Sequence, residues 1–151
     1  MTPYWTNEQH GLSIYHGDCL DVLAALPDSS VNLICTDPPY YRVKNLPWDR
    51  QWEKPEEFIG WIGRLCAEWQ RVLAPNGSLY VFASPKMAAR VECEVGRWFE
   101  VLSSIVWRKP VSRHQSCSKE ALRAPFPQTE RIIFAEHFGA DNRAKGEAGY
   151  G

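Results

Sequence analysis

At 151 residues the chain fits one domain of common size, and with 44% hydrophobic residues and seven Trp it can bury a substantial core. A net charge of −1 excludes a globally basic nucleic-acid binder, so any such surface must be local. Five widely spaced Cys without a Cys-x-x-Cys pair argue against a zinc site, and the lack of a signal-peptide pattern or an 18-residue apolar run leads to a reducing, cytoplasmic setting away from membranes.

In chain order, Leu12-Ser13-Ile14-Tyr15-His16 reads as a short strand ended by Gly17-Asp18. Asp18 is placed to cap a helix carrying Leu20, Val22, Leu23 and Leu26. Pro27 to Ser30 is a loop, and the apolar run Val31 to Thr36 is the next strand. Two strands joined by a helix suggest a βαβ unit with a parallel, buried pair. A polar, aromatic loop then runs from Tyr41 to Lys54. Pro55 suits the first turn of a helix whose apolar face is Phe58, Trp61, Ile62, Leu65, Trp69 and Val72. Pro75-Asn76-Gly77 stops it. Ser78 to Ala83 is a buried strand, and Ser84-Pro85 opens a helix expected to reach about Phe99. Val101 to Trp107 and Ile132 to Phe134 are the last strands. Cys35 and Cys66 lie in apolar patterns and are expected in the core. The stretch from Gly139 to Gly151, with four Gly and few apolar residues, reads as a flexible tail (139–151) behind a catalytic region (1–138).

The densest chemistry is Asp37-Pro38-Pro39-Tyr40, directly after the strand ending in Thr36. Ligand chemistry in open α/β sheets is concentrated at such strand ends. An amino group on an aromatic base is a poor nucleophile, because its lone pair is delocalised into the ring. A carboxylate and a backbone carbonyl can each accept one of its N–H bonds and draw the nitrogen towards tetrahedral geometry. Asp37 can supply the carboxylate and Pro38 the carbonyl. The two prolines fix φ and donate nothing, which stiffens the loop. Tyr40 can stack on a base taken out of a duplex. These are the requirements of amino-group methylation.

With these residues the chain resembles the DNA N6-adenine/N4-cytosine methyltransferases, in the subgroup whose catalytic tetrapeptide precedes the glycine-rich cofactor motif. The resemblance runs through IYHGDCLDVLAALPDSSVNLICTDPPY, FIGWIGRLCAEWQRVLAPNGSLYVF and EVLSSIVWRKP, and ends near QTERIIFAE. It implies a partial Rossmann-like α/β sheet, mostly parallel, with flanking helices. It implies S-adenosyl-L-methionine as methyl donor and double-stranded DNA as partner. The acid-first tetrapeptide favours adenine over cytosine, and argues against a protein side-chain amide as target. Asp37, Pro38, Pro39 and Tyr40 would be catalytic, with Asp18, Thr36 and Asp37 at the cofactor. Asp18 reads equally as a helix cap and as an acceptor for the cofactor's adenine or ribose. The subgroup's C-terminal Asp-Pro-Phe-x-Gly-x-Gly stretch has no counterpart after Tyr40. A missing C-terminal segment or a second chain would then complete the cofactor site; the alternative is a non-catalytic remnant or a DNA-binding or assembly subunit.

Six Lys/Arg fall between Arg108 and Arg131. Arg108, Lys109 and Arg113, with Arg42 and Lys44 after the tetrapeptide, are candidates for tracking a phosphate backbone, or else a solvated surface. Trp48 and Trp52 could stack on a base or wedge into a duplex, or simply cover the sheet edge. The four His have no metal-ligand spacing.

Overall fold

The computed structural model describes residues 2–109 and 128–140. Their elements are β1 (Trp5–Asn7), β2 (Leu12–Ile14), α1 (Cys19–Ala24), β3 (Val31–Thr36), α2 (Pro55–Val72), β4 (Leu73–Ala83), α3 (Ala88–Val95), β5 (Glu100–Arg108) and β6 (Thr129–Glu136). Four strands form the main sheet in the order β3-β4-β6-β5. β3 and β4 pair in parallel, while β6 is antiparallel to both β4 and β5. Three strands therefore point one way, and β6 runs back between the second and third. This is the expected Rossmann-like α/β sheet, with one reversed strand.

α2 is the central helix. Pro55 occupies its first turn, and Glu57 Oε2 accepts from the backbone N–H of Glu53 at 2.9 Å, supplying a partner just ahead of the helix. Glu56 and Glu57 at its start and Arg71 at its end suit the helix dipole. Phe58, Ile62, Leu65, Cys66, Trp69 and Val72 are buried on one face. All of these but Val72 meet Leu79, Val81 and Ala83 of β4, Val91 and Val95 of α3, and Ile133 and Ala135 of β6 in one core. Burial, with Glu94 nearby, pushes the Cys66 thiol up to about 12, so it stays a neutral core group. The helix passes straight into β4 at Leu73, five residues earlier than the pattern suggests. Pro75 disfavours a helical Ala74 and holds this stretch extended. Gly77 is needed there, because a Cβ would lie 2.7 Å from Leu73 Cδ1.

α1 is tied to α2 by Arg71. Its guanidinium donates to the carbonyls of Leu23 and Leu26 at the end of α1, and pairs with Asp28 and Glu68. Carbonyls at a helix end need such partners. This clasp sets where Asp18, at the other end of α1, stands.

The structure corrects four expectations. The strand at Leu12 does not join β3 in a βαβ unit; it pairs antiparallel with β1 in a separate hairpin, which turns at Gly11 (φ 62°). Cys35 is exposed, because it shares with Leu33 the face of β3 turned away from the helices. α3 starts at Ala88, after a turn in which Met87 and Ala88 donate to the Ser84 carbonyl, and it stops at Gly96. β6 spans eight residues, because it pairs along both edges. Tyr80 and Phe134 are cross-strand partners with stacked rings, 4.7 Å between centroids, and neither is fully buried. Among the described residues, helices pack on one side of the sheet only. No described helix is long and apolar enough to cross a membrane. The tail expected at 139–151 lies outside the described residues from 141 onward.

Candidate active site

Asp37 to Tyr40 leave the carboxyl end of β3, beside the end of β4. Ser84, buried at that end, lies 3.5 Å from the Tyr40 carbonyl through its hydroxyl, which can donate to it. Pro38 is buried, Pro39 and Tyr40 are half-buried, and Asp37 is exposed.

The loop after Tyr40 is held by a residue that sequence reasoning missed. Asp49 is 0% exposed and sits in a short 3-10 turn, Pro47–Asp49. One carboxylate oxygen accepts from the Tyr40 backbone N–H at 2.9 Å, and the other from that of Lys44. Its carbonyl accepts from Arg42 N–H at 2.8 Å. Tyr41 and Arg42 both adopt left-handed backbone, with φ of 58° and 60°. For residues other than glycine that conformation costs about 1–2 kcal/mol each. Three hydrogen bonds to one buried residue hold it in place. The Tyr41 ring is buried, and its hydroxyl donates to the Glu53 carbonyl at 3.1 Å.

The tetrapeptide separates two clefts. One, about 460 Å³, is lined by Asp37, Pro38, Pro39 and Tyr40 together with Lys44, Trp48, Trp107, Lys109 and Glu130. Trp48 and Trp107 are both about half exposed there. Tyr40 Oη donates to Glu130 Oε2 at 3.1 Å, and Lys109 Nζ pairs with Glu130 Oε1 and lies over the Trp107 ring. Burial, followed by the carboxylates of Asp37 and Glu130, pushes the Tyr40 phenol far above its ordinary value. The other cleft, about 630 Å³, has Asp18, Thr36 and Asp37 on its wall, with apolar surface from Val22, Leu23, Ile34 and Trp61. Asp18 caps α1, its Oδ1 accepting from Leu20 N–H at 2.8 Å.

The predicted residues therefore separate cleanly. Asp37, Pro38 and Pro39 line both clefts; Asp18 and Thr36 fall in the larger, and Tyr40, Lys44, Trp48 and Lys109 in the smaller. Arg42 and Arg108 are exposed outside both, Arg42 with its guanidinium 5.6 Å from the centre of the Tyr41 ring. Arg113 lies outside the described residues. Trp52 is no stacking platform: it is buried against Phe58 and Trp61. Glu130 and Trp107 were not anticipated. The β5–β6 register makes them partners on adjacent strands.

Residues 31–141, which build most of this sheet and its Asp-Pro-Pro-Tyr wall, match the family model described as DNA methylase, and the chain belongs to that family. It is 37% identical over 95 residues to the DNA adenine methyltransferase YhdJ of Escherichia coli K12, covering 63% of this chain and 32% of that one. It is 30% identical over 118 residues to the type II methyltransferase M.BglII of Bacillus subtilis, covering 71% and 32%. The chain thus spans about a third of the length of these relatives. Among solved structures, the PvuII DNA methyltransferase (cytosine-N4-specific) superposes with a TM-score of 0.64 at 20% identity, covering 82% of this chain and 48% of that one. TTHA0409 of Thermus thermophilus, complexed with S-adenosyl-L-methionine, gives 0.60 at 22%, covering 80% and 53%. At these identities the likeness is one of fold.

Proposed function

We propose that this chain carries the catalytic half of a DNA amino-methyltransferase that uses S-adenosyl-L-methionine and acts in the cytoplasm on adenine in double-stranded DNA. The observation that carries the reading is the shared wall: Asp37, Pro38 and Pro39 face both clefts at once. A target base taken out of the duplex enters the aromatic cleft. Tyr40 stacks on it, with Trp48 and Trp107 on the flanks. Asp37 and the Pro38 carbonyl accept its amino hydrogens and turn the nitrogen's lone pair towards the second cleft. Asp37 need not be a strong base, because the proton becomes acidic once the methyl group is on nitrogen.

When bound, S-adenosyl-L-methionine supplies a methyl group activated by a sulfonium. The donor set of the larger cleft suits it: apolar walls for an adenine ring, Thr36, and an Asp18 carboxylate with one oxygen beyond the one used as cap. Lys44 and Lys109 meet phosphates near the cleft mouth, Arg42 and Arg108 extend that surface, and Arg113 is a further phosphate contact in this reading.

Residues 1–138 form the catalytic region in this reading, and further polypeptide, in cis or from a second chain, completes the larger cleft along β3. Support comes from β3 itself. It ends the sheet with Leu33 57% exposed, and the chain covers about a third of its curated relatives.

The test is incorporation of labelled methyl groups into unmethylated duplex DNA, followed by nucleoside analysis. N6-methyladenine is expected; N4-methylcytosine would overturn the choice of base. The short span favours a second reading, a non-catalytic remnant or a DNA-binding or assembly subunit. Calorimetry with S-adenosyl-L-methionine decides between them: micromolar binding by the 151-residue chain supports the enzyme, and no binding supports the alternative.

A further inference from the structure

We propose that Glu130 is a positioning residue: by accepting the hydroxyl hydrogen of Tyr40 it keeps that hydrogen off the Asp37 carboxylate, which stays free for the target amino group. The proposal rests on the reading of Asp37 given above and deepens it.

A phenol has one hydrogen to donate. In this structure it goes to Glu130 Oε2, at 3.1 Å. Asp37 lines the same cleft as Tyr40 and Glu130, and its carboxylate is near enough to help raise the Tyr40 phenol. Two carboxylates therefore compete for one hydrogen. The phenol stays protonated, because burial and both carboxylates disfavour its anion, so it is always a donor. Donating to Asp37 would occupy an acceptor site that the base needs, and would draw charge from the carboxylate.

Glu130 is built to win this competition. It is only 9% exposed, and a buried acid is costly unless its oxygens are partnered. Lys109 Nζ pairs with Oε1, and an acceptor held in an ion pair makes a stronger, charge-assisted hydrogen bond at Oε2. Its place is set by strand pairing: Glu130 lies on β6 opposite Trp107 of β5, one residue beyond the pairing with β4, and not on a loop. Nothing in the stacking or amino-group steps themselves requires an acid at this position.

Methyl transfer to duplex DNA, by the protein with its larger cleft complete, is the assay. It compares wild type, Glu130→Leu, Tyr40→Phe and the double variant, with Asp37→Ala as control. Glu130→Leu should lower kcat about tenfold to a hundredfold, the range for losing a charged hydrogen bond's effect on one group. Tyr40→Phe keeps the ring and should lose less, about two- to fivefold. The double variant should recover to the Tyr40→Phe rate, because no phenolic hydrogen remains to occupy Asp37. Glu130→Gln, which keeps an oxygen acceptor, should fall between wild type and Glu130→Leu. A double variant no faster than Glu130→Leu overturns the proposal, since a purely structural acid is not rescued by removing a second polar group. The freed Lys109 is present in both of those variants, so it cannot account for a recovery. Full activity in Asp37→Ala would instead overturn the reading beneath. Crystal structures of Glu130→Leu and Glu130→Gln decide independently of catalysis. In Glu130→Leu, Tyr40 Oη should lie within about 3.0 Å of the Asp37 carboxylate; in Glu130→Gln it should still face residue 130. A hydroxyl turned to solvent in Glu130→Leu sinks the idea.

Discussion

On the aromatic side of the tetrapeptide, two acids from elsewhere in the chain hold Tyr40 at both ends. Asp49 takes its backbone N–H, and Glu130 takes its phenol. On the Asp18 side the polar ties are fewer and more exposed. One carboxylate oxygen caps a six-residue helix, and the neighbouring strand ends the sheet with Leu33 in the open. The aromatic side is thus preorganised by this chain alone, while the Asp18 side has walls but no cover among the described residues. Preorganisation matters most where a soft lone pair must be aimed, because misplacing an acceptor by about 1 Å can cost about a hundredfold in rate.

The comparison makes Asp37 the largest expected effect. Asp37→Ala should lower methyl transfer by about 10²–10³-fold or more, as for loss of one preorganised polar group. The side chain is exposed, so the melting temperature should stay within about 2 °C. Labelled methyl incorporation near the wild-type rate would remove Asp37 from the mechanism. Asp49→Ala comes next. It strands the Tyr40 and Lys44 N–H groups, each worth about 1–3 kcal/mol when buried without a partner, so a loss of about 2–4 kcal/mol in urea unfolding is expected. Hydrogen exchange at those two amides should accelerate in parallel. A change under about 1 kcal/mol would mean that the loop is held by something other than this carboxylate.

The same contrast explains what was legible in the sequence. The Asp37-to-Tyr40 wall, the Asp18 cap and the apolar face of α2 are local patterns, written within a turn or two of chain. Glu130 acts on Tyr40 across 90 residues, and only the pairing of β6 with β5 and β4 brings it there. Asp49 sits in what reads as a polar loop. Its burial depends on Tyr41 and Arg42 adopting a backbone that no propensity favours. The hairpin was missed because Trp5–Asn7 is three residues long and lacks a turn dipeptide. Cys35 and Leu33 went wrong for another reason. An apolar run predicts a strand, but it does not tell whether both of its faces are covered.

Asp18 separates the helix-cap role from the binding role. Asp18→Ala should lose about 0.5–1 kcal/mol of stability, the usual worth of an exposed cap. Asp18→Asn keeps a good cap and should keep that stability. If the side chain is also a ligand, Asp18→Ala should weaken S-adenosyl-L-methionine binding, and Asp18→Asn, which keeps an oxygen acceptor, should fall between wild type and Asp18→Ala. Equal affinity in wild type and Asp18→Ala, measured by calorimetry, leaves Asp18 as a cap alone.

The smallest effect is the most diagnostic for the open side. Leu33→Ser alters a side chain that is 57% exposed, so in the 151-residue chain stability should move by no more than about 0.5 kcal/mol. A fully buried Leu is worth about 1.5–3 kcal/mol by transfer alone. If further polypeptide covers β3, the same substitution in the completed protein should cost in that range, and should loosen S-adenosyl-L-methionine binding as the cover shifts. The quantity to measure is the difference between the two backgrounds. An equal, near-zero effect in both means that Leu33 stays in solvent and that whatever completes the larger cleft approaches from another direction. A large effect in the completed protein alone assigns the outer face of β3 as the seam between this half of the site and the rest.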